Sequence, residues 1–100
     1  NILIDLYRDS LGSYIKKMPE EASEYVKEML DGDYQTIHRL AIYSISTNYY
    51  VLSKLTSNLL DAKYFEPNYQ HEIWHFLHDN YAQFDSHQKQ KVLTAWKQIR

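Results

Sequence analysis

The chain has 100 residues, of which 44% are hydrophobic and 24% are charged, and its formal net charge is −2 at pH 7. This composition is typical of one folded domain and argues against a disordered polar chain. The mild negative charge, without any run of Lys and Arg, argues against a phosphate-gripping nucleic-acid binder, and no stretch approaches the ~20 apolar residues of a membrane span.

Cysteine is absent from the chain, which excludes a disulfide framework and a thiol nucleophile. A cysteine-free chain without a signal-peptide pattern fits a reducing, cytoplasmic setting. The sequence begins at Asn1 rather than at methionine and stops at Arg100 directly after a helical pattern. We therefore expect residues 1–100 to be a single α-helical segment excised from a larger chain.

The fold class predicted from apolar spacing is all-α. Two glycines and two prolines are too few for the turns of an all-β domain. The first helix is predicted from Ile2 to Met18, and Pro19 both ends it and starts the second. The first two apolar stripes consist of Leu3, Tyr7, Leu11, Tyr14, Ile15 and Met18, and of Ala22, Tyr25, Val26, Met29 and Leu30.

Asp31-Gly32-Asp33 is predicted to close the first hairpin, with Gly32 in the left-handed conformation and Asp33 as the cap of the next helix. That third helix, Tyr34 to about Thr47, is apolar on several sides, so it should lie between neighbours. Asn48 is a candidate cap for a fourth helix ending near Ala62. Its apolar stripe is Tyr49, Leu52, Leu55, Leu59 and Leu60.

A short connection, Lys63 to Pro67, leads to the fifth helix, which is predicted within Asn68 to Phe84. Ser86 is the predicted cap of a sixth helix. The apolar side of the fifth helix carries Tyr69, Ile73, Phe76, Leu77, Tyr81 and Phe84, with Trp74 on its flank, and that of the sixth carries Val92, Leu93, Trp96 and Ile99.

Three predicted helical hairpins begin near residues 1, 33 and 68, a spacing of roughly 34 residues that lies in the range of helical solenoids. The run from Ile37 to Ile45 looks like the inner-helix signature of HEAT repeats, with His38 in the place of the usual Arg. We therefore predict three stacked hairpins forming a HEAT-like α-solenoid segment. The alternative arrangement is a closed six-helix bundle.

The string His71-Glu72-Ile73-Trp74-His75 matches H-E-x-x-H, in which two histidines one turn apart bind Zn²⁺ and the glutamate acts as general base. A zinc site also needs a third ligand and a cleft. The longer motif fails, because His78 replaces its glycine and Tyr81 its last histidine. The histidines should also face away from the core, so we predict no metal, no cofactor and no catalytic residue. The alternative is a small zinc hydrolase using His71, Glu72 and His75, with His78 as the candidate third ligand.

A second hypothesis is that some tyrosine and histidine side chains contact a binding partner. Ten tyrosines are many for a chain of this length, and tyrosine is well suited to partly hydrated interfaces. Most of them fall on predicted core stripes. The candidates for partner binding are Tyr50, Tyr64, His71, His75 and His78.

Three segments between residues 37 and 100 carry a family resemblance: Arg39 to Ile45, His71 to Leu77, and Phe84-Asp85 followed by Gln88 to Trp96. They resemble the helical-repeat region of large bacterial STAND-type NTPases, some of which act in antiviral defence. The resemblance implies that the histidine string belongs to a packed helix. It also implies that this region recognises a protein ligand and that the NTPase lies elsewhere in the parent protein, since no G-x-x-x-x-G-K-[ST] occurs here.

The two ends of the segment should bind other protein surfaces through uncovered apolar residues. In a solenoid each hairpin buries one side against the previous repeat and the other against the next. The apolar residues that would lack such cover are Ile2, Leu3, Ile4 and Leu6 at the start and Val92, Leu93, Trp96 and Ile99 at the end. The expected partners are therefore another protein or neighbouring domains, and the isolated segment should self-associate.

Overall fold

A computed structural model describes residues 2–98, and every regular element in this range is helical. The predicted all-α class is confirmed. The α-helices are α1 (Ile2–Lys17), α2 (Pro19–Asp31), α3 (Gln35–Thr47), α4 (Tyr49–Leu52), α5 (Thr56–Leu59), α6 (Gln70–Asn80) and α7 (Ser86–Gln98). Ile99, the predicted end of the last stripe, lies outside the described residues.

The first hairpin forms as expected, because Pro19 opens α2 with Glu20 and Glu21 in its first turn. The predicted α1 stripe is buried only in its middle, at Leu11 and Ile15. Its two ends, Leu3 and Met18, are exposed. Helical spacing aligns side chains on one side, but burial also needs a neighbouring helix over each of them.

The turn between α2 and α3 differs from the predicted one. Gly32 is extended, with φ −76° and ψ −175°, rather than left-handed, and its N–H donates to the Glu28 carbonyl at 3.2 Å. Tyr34, not Asp33, is the N-cap of α3, and it makes no side-chain cap bond. The turn is instead closed from within α3, because Nε2 of His38 lies 2.6 Å from the Gly32 carbonyl oxygen.

Helix α3 is the centre of the fold and contacts α1, α2, α4 and α6. This confirms the prediction that it lies between neighbours. Its buried residues are His38, Leu40, Ala41, Ile42, Ser44 and Ile45.

The predicted fourth helix is broken into α4, a 3₁₀ turn at Ser53–Leu55, and α5. Its apolar residues are nevertheless buried: Leu52, Leu55, Leu59 and Leu60. Asn48 stands at the N-cap position of α4 without capping it. Its Nδ2 donates back to the Ser44 carbonyl at 3.0 Å, so this side chain closes α3.

Two 3₁₀ turns, Ala62–Phe65 and Pro67–Tyr69, lead into α6. Another 3₁₀ turn, Tyr81–Gln83, follows α6. Before α7, the Gln88 N–H donates to Oδ1 of Asp85 at 2.7 Å, and the Asp85 N–H donates to Oε1 of Gln88 at 2.9 Å. This reciprocal pair is a capping box. Asp85 is therefore the cap that the sequence assigned to Ser86.

Helices near in the chain contact one another, α1 with α2 and α3, and α2 with α3 and α4. An equally extensive contact joins α3 to α6 across the segment that contains α4 and α5. The Cα radius of gyration is 13.2 Å, and the extents are 36 × 26 × 21 Å. Contacts between near neighbours suit stacked hairpins, and the solenoid arrangement stays a prediction. None of the described helices combines the length and apolarity needed to cross a bilayer.

Candidate partner-binding surfaces

The histidine ridge, which consists of His71, His75 and His78, lies on the exposed side of α6. Spacing by i, i+4 and i+7 predicts this placement. The rings of His71 and His75 meet edge to face with centroids 4.6 Å apart. Nδ1 of His78 lies 3.1 Å from Oδ1 of Asp79. A role for the ridge in partner binding stays a prediction.

Glu72, the general base of the zinc alternative, is engaged elsewhere. Its Oε1 lies 3.3 Å from Nε of Arg39 on α3. The same guanidinium donates to the Asn68 carbonyl at 3.0 and 3.2 Å. Residues 2–98 contain no group of three or more His, Cys, Asp or Glu side chains placed to hold a metal ion. The H-E-x-x-H residues, as arranged, do not fit a three-ligand zinc site.

The two tyrosines singled out from the sequence have opposite environments. Tyr50 is 92% exposed, so it is accessible to a partner, whereas Tyr64 is only 1% exposed. The Tyr64 hydroxyl donates to the Leu30 carbonyl at 3.5 Å, and its ring packs against Tyr69 with centroids 5.3 Å apart. Burial, reinforced by the neighbouring Tyr69, raises the pKa of Tyr64 to about 12. Tyr64 is thus a core residue, and its assignment to partner contact is wrong.

One side of α6 and α7 forms an exposed apolar groove, which we call the tryptophan face. Its residues are Trp74, Leu77, Leu93 and Trp96, with Phe65 and Ile73 beneath them. Trp74 is 63% exposed, Leu93 50% and Trp96 42%. Aromatic and leucine side chains exposed together in this way are typical of protein-binding surfaces.

Lysines border the tryptophan face. Lys89 precedes Leu93 by four residues and Trp96 by seven, so all three lie on the same side of α7. Nζ of Lys89 lies 5.2 Å from the centroid of the Tyr81 ring, at the margin of this face. Lys97 follows Leu93 by four residues. Lys91, by contrast, lines a separate cavity with Leu60 and Asp61.

A second exposed groove, the tyrosine face, lies between α1 and α2. Its residues are Leu3, Leu6, Tyr7, Ser10, Leu11, Tyr14 and Tyr25. The hydroxyls of Tyr7 and Tyr25 lie 2.6 Å apart. The rings of Tyr14 and Tyr25 pack edge to face with centroids 6.2 Å apart. These contacts join α1 to α2 at the groove.

Acidic side chains border the tyrosine face. The Tyr14 hydroxyl donates to Oε2 of Glu21 at 3.4 Å. Glu21, Glu24 and Glu28 follow one another at helical spacing along α2, beside Tyr25. Burial raises the pKa of Tyr14, and the negative charge of Glu21 adds to the shift. Burial also raises the pKa of Tyr7 to about 12, with the hydrogen bond to Tyr25 contributing.

The sequence identified part of these faces. Leu3, Leu6, Leu93 and Trp96 were expected at the open ends, and all four are exposed. The tyrosines of the first groove were assigned to the core, because helical spacing does not separate a core stripe from a groove beside it. The acidic spacing on α2 was the available signal, because it placed charge directly beside Tyr25.

Comparison of the chain with protein-family models, with curated proteins and with solved structures finds no match in any of the three.

Proposed function

We propose that this chain is a non-catalytic helical-repeat segment that recognises a protein or supports neighbouring domains. The observation that supports the proposal is the pair of exposed apolar faces, one on the first hairpin and one on α6 and α7. Apolar surface in contact with water costs about 25 cal/mol per Å² relative to burial. Covering either face with protein would remove that cost.

The chemistry of the tryptophan face favours protein as the ligand. Trp and Tyr anchors surrounded by a polar rim are the usual composition of interaction hot spots. Trp74 and Trp96 are the anchors here, and lysines form part of the rim. The net charge of −2 does not favour nucleic acid. A small-molecule reaction would instead call for converging polar groups, which this groove lacks.

The resemblance to STAND-type NTPases extends the proposal. On that basis the segment serves as the sensor or regulatory part of a larger bacterial protein whose P-loop domain lies elsewhere in the chain. The proposal includes a cytoplasmic location, because the absence of cysteine is typical of proteins in a reducing compartment. A HEAT-like solenoid would supply the repeats that cover each face.

Site-specific photo-crosslinking in the full natural protein, in its native cells, tests the proposal. A photoreactive residue at position 93, on the tryptophan face, should give a covalent protein adduct after irradiation. The matched control is position 57, since Ser57 is also exposed but belongs to neither face. Adducts no more abundant at position 93 than at position 57 would overturn the proposal.

A further inference from the structure

We propose that the tryptophan face of one copy of this chain binds the tyrosine face of a second copy, head to tail. The inference rests on the proposed function, because it takes both faces to be protein-binding, and it names the partner and the polarity of the contact. Both faces are apolar grooves lined by residues of two helices, and both contain aromatic side chains. They share no residue, so one molecule can use both at once.

The charges around the two faces are complementary. The acidic rim of the tyrosine face consists of Glu21, Glu24 and Glu28, which lie on α2 beside Tyr25. Glu20 on the same helix is paired with Lys54 at 3.4 Å. Helix α7 carries no acidic residue, and two of its three lysines, Lys89 and Lys97, lie on the side of the tryptophan face and form its lysine rim. Docking one face on the other places the lysine rim opposite the acidic rim.

The same charges disfavour pairing of like faces. Two tryptophan faces would bring Lys89 and Lys97 of each copy together, and two tyrosine faces would bring together both rows of glutamates. Like charges facing one another across an interface are costly. The expected contact is therefore heterologous rather than two-fold symmetric.

A heterologous contact leaves one unused face at each end of a dimer. Such contacts add further copies unless the rotation between neighbours closes a ring. Self-association should then continue beyond the dimer as the concentration rises. The same geometry would join successive hairpins if similar repeats flank this segment in a longer chain.

Two variants that each block one face provide the decisive experiment. Trp96→Glu places a negative charge in the tryptophan face, which then repels the acidic rim of a partner. Leu6→Lys places a positive charge in the tyrosine face, which then repels the lysine rim. Each variant alone should be a monomer in sedimentation velocity, and an equimolar mixture should form a 1:1 heterodimer that grows no further. Far-UV circular dichroism should show both variants as helical as the natural sequence.

Charge reversal tests the rims separately. Lys97→Glu should weaken wild-type self-association about threefold to tenfold, and Glu24→Lys should do the same. A mixture of these two variants should recover most of the loss, because one of its two contacts pairs the original charges and the other pairs the two reversed charges. Lys91→Glu is the matched control on the other side of α7, and it should change the association constant less than twofold.

Three outcomes would overturn the inference. A mixture of Trp96→Glu and Leu6→Lys that stays monomeric would exclude the head-to-tail contact. Dimers of either variant alone would show pairing of like faces. A wild-type chain that stays monomeric at high concentration, while position 93 crosslinks to a different protein, would remove the second copy as partner and leave the proposed function standing. If the chain neither self-associates nor crosslinks to another protein at position 93, both the head-to-tail contact and the proposed function are contradicted.

Discussion

The imidazole of His38 joins two distant parts of the chain, because its Nδ1 lies 2.7 Å from the hydroxyl of Tyr69 while its Nε2 lies 2.6 Å from the Gly32 carbonyl oxygen. A carbonyl oxygen only accepts, so Nε2 carries a proton. In the neutral ring, Nδ1 then accepts the proton of the Tyr69 hydroxyl. His38 and Tyr69 are both buried, and together they hold the α2–α3 turn against the segment that precedes α6.

Removing the Tyr69 hydroxyl should destabilise the fold. Tyr69→Phe keeps the ring but leaves Nδ1 of the buried His38 without its partner, which costs roughly 1 to 3 kcal/mol. Urea denaturation followed by circular dichroism measures the change in the free energy of unfolding. The matched control is Tyr50→Phe at the 92% exposed position, where we expect a change within about 0.5 kcal/mol. Equal effects at the two positions would contradict this role of Tyr69.

Gly32→Ala should be tolerated, because Gly32 has a φ of −76° that any residue adopts. A Cβ there would meet only the Met29 and Glu28 carbonyl oxygens, at 3.7 and 3.8 Å. Reduced freedom of the unfolded chain should then stabilise the protein by about 0.4 to 1 kcal/mol. The melting temperature reports the change. A clear loss of stability would instead indicate the left-handed turn expected from the sequence.

Asp85→Ala should cost about 1 kcal/mol, because it removes the acceptor of the Gln88 N–H at the start of α7. Ser86→Ala, one residue later, is the matched control and should leave the free energy of unfolding nearly unchanged. Chemical denaturation of the two variants side by side makes the comparison. The reverse order of effects would restore Ser86 as the cap.

Stability should fall at alkaline pH through Tyr64. Its pKa is raised from the usual 10.0 to about 12, so between these values the unfolded chain loses the phenolic proton while the folded chain keeps it. The stabilising contribution is therefore complete below pH 10 and is lost as the pH rises through about 12. Unfolding free energies at pH 8 and pH 11 should differ less in Tyr64→Phe than in the natural sequence. An unchanged pH dependence in that variant would contradict the prediction.

Protein purified without chelators should contain no zinc near one equivalent. The donors of a three-ligand site are not assembled among residues 2–98, and Glu72 is paired with Arg39. Elemental analysis by mass spectrometry provides the measurement. Tight equimolar zinc that disappears in His71→Ala would support the hydrolase alternative.

Local patterns in the sequence predicted the helices well. Apolar spacing indicated α1, α2, α3, α6 and α7, and it placed the three histidines on the exposed side of α6. These features depend on residues within one or two turns of each other. The capping residues were less predictable. Asp85 and Ser86 are both good caps by residue type, and only the backbone path decides which side chain reaches the free N–H groups.

The sequence by itself determined the all-helical class and the exposed position of the three histidines on α6. The tertiary structure alone decided which aromatic side chains are covered: Tyr64 is buried beside His38, whereas Tyr25 borders an open groove. It also decided that Glu72 pairs with Arg39, which lies on another helix. The physical reason is that helical periodicity is set by near neighbours along the chain, whereas burial and ion pairing are set by residues that meet only when distant segments pack.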